Sequence, residues 1–222
     1  MVRVCGGSSS DPLANVQAAF DQLGAAMSLC IDREMRLAAL MLLYSAIDVA
    51  GWMAAQAAGP PVPTGQAAFT AWTEKYLRPK ATLGCSALEL YAARCGVVHT
   101  MTPESELFRQ GRVLRQVIYA WLPSTVEKLS AMTDFVGRGY VAVQGDWLVR
   151  AFQVAVRTRF LPDLRQSSPE QLQPVTSKVF TTMPPAQADD LLMRAYFATL
   201  GITPPKKWPG RSLRLPPKNK DR

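Results

Sequence analysis

The 222-residue sequence holds a single histidine, His99, and four cysteines, Cys5, Cys30, Cys85 and Cys95. The cysteines are widely scattered and none forms a Cys-x-x-Cys pair, and one histidine cannot complete a zinc site of the usual kind. No metal and no cofactor is therefore expected. The same cysteine usage fits a reduced, cytoplasmic compartment. Charged residues make up only 19% of the chain, and neither an internal repeat nor a sustained heptad is present, which argues against a solenoid or a long coiled coil. Residues Met1 to Pro12 are polar and rich in Gly and Ser, so no secretory leader is expected.

Hydrophobic residues make up 48% of the sequence, ample for a buried core. The run from Leu37 to Ala58 is apolar and long enough to span a bilayer. It is built largely on alanine, however, and carries Ser45, Asp48 and Gln56. A carboxylate near its centre is costly in lipid, so the run is expected as a buried bundle helix with no membrane association. The net charge of +8 is concentrated at the end: from Ile202 onward seven basic residues face Asp221 alone. The rest of the chain is nearly balanced.

The pattern is helical almost throughout and predicts an all-α bundle. Asp11-Pro12 provides a cap and a first-turn proline, and Val16, Phe20, Leu23 and Met27 follow at helical spacing. A second helix is expected from Asp32 to Ala58. Gly59 to Gly65, with Pro60, Pro61 and Pro63, reads as a loop. Phe69, Trp72 and Tyr76 form an aromatic stripe on a third helix, a pattern that belongs to a core. A helix from Ser86 should fail near His99, because Thr102-Pro103-Glu104 carries the start signals of another that runs to Leu122. Pro123-Ser124 marks a break before Glu127 to Met132. Phe135 to Gly145 is irregular, with a short extended piece at Tyr140 to Val143. Further helices are expected after Asp146 to a stop at Pro162, from Ser168 to Phe180, and from Ala186 to Leu200. The expected organisation is a helical bundle over 11–133, a C-terminal helical extension packed on it over 134–201, and a basic, proline-rich disordered tail over 202–222.

The residues that suggest chemistry are Arg94 and His99. Imidazole exchanges protons near neutrality, and a guanidinium is suited to holding phosphate. Together they can cleave an RNA phosphodiester: a base takes the 2′-hydroxyl proton, the oxygen attacks phosphorus, and the cation stabilises the charge that develops. Five residues on an ideal helix turn through about 140°. The two side chains therefore converge only where the helix ends between them or where a second copy completes the site. The alternative is structural. His99 then caps a helix C-terminus, and Arg94 neutralises Asp48 or Glu89. Cys95, beside Arg94, is read as a buried thiol. In the tail, Lys206, Lys207, Trp208, Arg211 and Arg214 could hold a nucleic-acid backbone and stack a base.

The spacing Arg94-x4-His99 at the end of one helix resembles the R-x4–6-H motif of the HEPN superfamily, over roughly residues 32–132. The resemblance implies a helical bundle and a metal-independent endoribonuclease of a toxin or defence system, working as a homodimer on RNA. It also implies a possible antitoxin or regulatory partner protein. His99 would be the general acid/base, Arg94 the phosphate-binding cation, and Asp48 the acidic residue of an earlier helix that orients them. Cys95 and Met101 stand where many members carry a polar residue and a tyrosine. The competing expectation is a non-catalytic helical module of the same fold that dimerises or binds a partner.

Overall fold

The computed structural model describes residues 11, 13–63, 65–80, 83–101, 104–136 and 139–176, all within one unit spanning Met1–Val179. The expected helix at 186–200, the tail, and the cap at Thr102-Pro103 lie outside them. So does Pro12, although Asp11 Oδ1 accepts a hydrogen bond from the Leu13 amide at 3.0 Å, just ahead of helix α1 (Ala14–Asp32).

Helix α2 (Arg36–Ala58) is the axis of the fold. By length and composition it could cross a membrane, but half of its apolar window is buried within the protein. It packs against α1, α3 (Gly65–Trp72), α7 (Gly145–Ala155) and α9 (Pro169–Thr176). Leu43, Tyr44, Ile47 and Ala50 are fully buried, and burial of each large aliphatic side chain stabilises the fold by about 1.5–3 kcal/mol. The alanines and Gly51 allow close approach. A Cβ on Gly51 would stand 2.9 Å from the Ala68 carbonyl oxygen on α3. Gly59, with φ of 82°, ends the helix where the sequence places its stop.

The expected aromatic stripe is core. Trp72 meets Tyr76, Phe152 and Phe160 with ring centroids 5.6, 5.6 and 5.8 Å away, offset or edge-on as aromatic quadrupoles prefer. One hydrophobic cluster runs from Leu13 to Val175, so the described residues beyond 133 share their core with those before it.

The chain is mostly helical, but two of the expected elements differ. No helix runs from 104 to 122. Helix α5 (Glu106–Arg109) is a single turn, followed by Gly111 in the left-handed region at φ of 68°. Strand β1 (Gln116–Ala120) comes next, and its Val-Ile-Tyr core favours extended backbone. It pairs in parallel with β2 (Tyr140–Gln144), Gln116 opposite Tyr140 and Ala120 opposite Gln144. Helix α6 (Pro123–Val136) crosses between them, so the mostly helical fold also carries one βαβ unit. The second difference is at Pro162, which does not stop the helix. After α7 the chain makes a π-helical turn at Val156–Phe160 and continues as α8 (Leu161–Arg165), with Pro162 in the first turn of the new segment. The preceding π turn has already interrupted the i to i−4 ladder, so a missing N–H costs little there.

Candidate active site at the end of helix α4

Helix α4 (Ala87–Cys95) starts with a capping box. The Glu89 amide donates to Ser86 Oγ at 3.1 Å, and the Ser86 amide donates to Glu89 Oε2 at 2.8 Å. Arg115 closes on the same carboxylate with Nε to Oε1 at 2.8 Å and Nη2 to Oε2 at 2.9 Å. Burial favours the neutral form of Glu89, yet the Arg115 and Ser86 hydrogen bonds outweigh it and hold its carboxyl below the ordinary value. Glu89 is thus committed to the helix start and to Arg115. Of the two acids weighed as partners for Arg94, Asp48 takes the role.

At the other end, Arg94 Nε and Nη2 both donate to Asp48 Oδ2, at 2.8 and 2.7 Å. The Arg94 and Asp48 side chains are only 18% and 27% exposed, so water screens the pair poorly. Burial weakens the Arg94 charge, but the hydrogen bond and charge of Asp48 more than compensate, and the guanidinium pKa is raised. Its Cζ also lies 5.8 Å from the centroid of Tyr91, a cation–π contact legible in hindsight from the i, i+3 spacing. Burial and the neighbouring Cys95 push the Tyr91 phenol upward. The Cys95 thiol is half-buried and sits 4.0 Å from Arg94 Nη1.

The remaining guanidinium nitrogen, Nη1, lies 2.7 Å from His99 Nε2. The sequence geometry called for a helix break or a second chain to bring these two together. The chain does neither between them. Gly96–Thr100 forms a π-helical turn, and it closes with the Met101 amide donating to the Gly96 carbonyl. An i to i+5 ladder makes the turn wider than an α turn, and residues five apart return to one face. Met101 then adopts the left-handed conformation, φ of 53°, and the helix ends. His99 is left exposed in the last turn. Similar turns at Thr73–Leu77 and Val156–Phe160 join helices elsewhere, so a π turn alone does not mark the site.

The arrangement fixes a proton. A guanidinium only donates, so Nε2 accepts and the ring proton is assigned to Nδ1. Asp48, Arg94 and His99 form one chain of charge-assisted hydrogen bonds that runs from a half-buried carboxylate to an exposed imidazole. Three of the expected site residues are therefore brought together within one chain. Lys206, Lys207, Trp208, Arg211 and Arg214 lie outside the described residues. Among the described residues no group of three or more His, Cys, Asp or Glu is placed to hold a metal ion. Comparison of the chain with protein-family profiles, curated proteins and solved structures finds no match.

Proposed function

We propose that the protein is a metal-independent endoribonuclease of HEPN type, acting as a homodimer in a toxin or defence role. The observation that carries the reading is the 2.7 Å contact between Arg94 Nη1 and an exposed His99 Nε2, with the other side of Arg94 held by Asp48. A phosphodiester approaching the exposed end of the chain offers Arg94 a better acceptor than a neutral imidazole, because an anionic oxygen strengthens the bond. Arg94 Nη1 exchanges its hydrogen bond to His99 for one to the phosphate and frees the Nε2 lone pair. His99 then takes the proton from the 2′-hydroxyl, the 2′-oxygen bonds to phosphorus, and the bond from phosphorus to the 5′-oxygen breaks. The departing oxygen takes up a proton, leaving a 2′,3′-cyclic phosphate and a 5′-hydroxyl. Attack and departure lie on opposite sides of phosphorus, and the chain has one histidine. A homodimer supplies the second imidazole. Asp48 holds the guanidinium in place throughout.

The test is incubation of purified protein with single-stranded RNA in excess chelator, beside His99→Ala and Arg94→Ala variants whose folding is checked by circular dichroism. The reading expects cyclic-phosphate ends from the wild type, and losses of at least about a hundredfold in each variant, typical of removing an acid–base group. The second reading, a non-catalytic partner-binding helical module, is favoured by the shielded Arg94–Asp48 pair, which is what a structural ion pair requires. It expects no cleavage by folded wild type and a loss of stability in Arg94→Ala.

A further inference from the structure

Beside this site is a second feature of the same helix. Leu37 and Leu40 of α2, Val97 and Met101 around the π turn, and Tyr119 and Trp121 at the end of β1 line a slot of about 300 Å³. Its rim is apolar and open to solvent, with Met101 66% and Leu37 44% exposed. Apolar surface gathered around a concavity in this way points to a binding site. Arg36, exposed at the start of α2, places its guanidinium 5.9 Å from the Trp121 ring centroid. Among the described residues it pairs with no carboxylate.

We propose that this slot receives a nucleobase of the RNA strand whose phosphate is held at Arg94 and His99; the inference rests on the nuclease reading. Continuity is the first argument. Val97 and Met101 belong to the stretch that carries Arg94 and His99, and two residues beyond His99 the chain has travelled at most about 7 Å. That is the reach of one nucleotide. Charge is the second argument. Arg36 and Asp48, which anchors Arg94, stand twelve residues apart on α2, about 18 Å, with Leu37 and Leu40 between. A strand running from one guanidinium to the other crosses the slot, so cations meet phosphates while the apolar walls meet a base. Trp121 gives a third ground: it lines the slot, and an indole can stack with any base. A protein side chain would fill the slot equally well but leaves Arg36 without an anion among the described residues.

The experiment uses the full chain. Binding of a short single-stranded RNA is measured by fluorescence anisotropy in the His99→Ala background, where the strand stays intact, with Met101→Glu and Trp121→Ala added singly. Turnover is measured with His99 present. Met101 is exposed, so Met101→Glu tests the rim without disturbing the core. Trp121 packs close to Gly145, whose added Cβ would stand 2.8 Å from the indole, so its variant is read only after a folding check. Each variant is expected to weaken RNA binding about tenfold, the scale of one lost base stack, and to raise KM more than it lowers kcat. RNA carrying thiouridine is expected to photocross-link to Met101 or Trp121. Active enzyme whose binding, KM and cross-links ignore both variants overturns the slot assignment and leaves the nuclease reading standing. Wild type that neither binds nor cuts RNA overturns both. A Met101→Glu variant that changes oligomeric state while RNA binding stays constant assigns the slot to a second copy of the chain, and also overturns the proposal.

Discussion

At the scale of the residue, Arg94 and the partners on its two sides set the chemistry. Asp48 makes the guanidinium a fixed object, because two nitrogens share one carboxylate oxygen. Asp48→Ala strands a mostly buried cation and should lower stability by about 1–3 kcal/mol, measured by urea unfolding. Asp48→Asn keeps an acceptor and should recover part of the loss. Both should slow RNA cleavage, because Arg94 is no longer held toward His99. Glu89 gives a pH dependence. Its carboxyl is held below the ordinary value of 4.5 by Arg115 and Ser86 against burial, so it binds fewer protons in the folded than in the unfolded chain. The stability it contributes is present above that value and is lost as the pH falls through its lower folded value. Melting temperature should therefore drop as pH is lowered below 4.5. Glu89→Gln should be less stable at neutral pH and show a shallower acid drop; an equally steep drop would place the effect on other carboxylates.

At the scale of the element, local geometry decided what could be read from sequence. The capping signal at Asp11, the helix start at Ser86 and the glycine stop at Gly59 act within one or two turns, and they are visible in the chain. The apolar α2 was legible as a core helix because Asp48 stands within it, and the same residue was legible as the partner of Arg94. Strand β1 was not. Its partner lies twenty-four residues further on, Gln116 against Tyr140, and no local periodicity reports a parallel pairing. The assignment of Glu89 to Arg115 was hidden for the same reason, since Arg115 leads directly into that strand. The route by which Arg94 and His99 converge was missed because a π turn has no amphipathic signature of its own. The close contact of α2 with α3 is open to test. Gly51→Ala brings a methyl to 2.9 Å from the Ala68 carbonyl oxygen, backbone that cannot rotate away. The variant should lose about 1–3 kcal/mol by overpacking. Unchanged stability would mean that the two helices separate freely.

At the scale of the whole molecule, one core joins the helices to the strand pair, and the Tyr44–Tyr119 hydroxyl contact links α2 to β1 within it. Burial and the neighbouring phenol push the Tyr44 pKa well above its ordinary value, so both phenols stay protonated and one donates to the other. Tyr119→Phe leaves the Tyr44 hydroxyl without that partner and should destabilise by about 1–3 kcal/mol, and the double Phe variant should recover most of the loss. Both this variant and Gly51→Ala should shift a single cooperative transition. That core sets α2 against the π turn that ends α4, and Asp48 meets Arg94 there, which makes the site a property of the fold. The most direct measurement of its chemistry is the analysis of RNA ends after incubation with the protein in excess chelator. Wild type is expected to leave 2′,3′-cyclic phosphate and 5′-hydroxyl ends, and folded His99→Ala is expected to lose them. Intact RNA with folded wild type, or equal cleavage by wild type and His99→Ala, would contradict the nuclease reading.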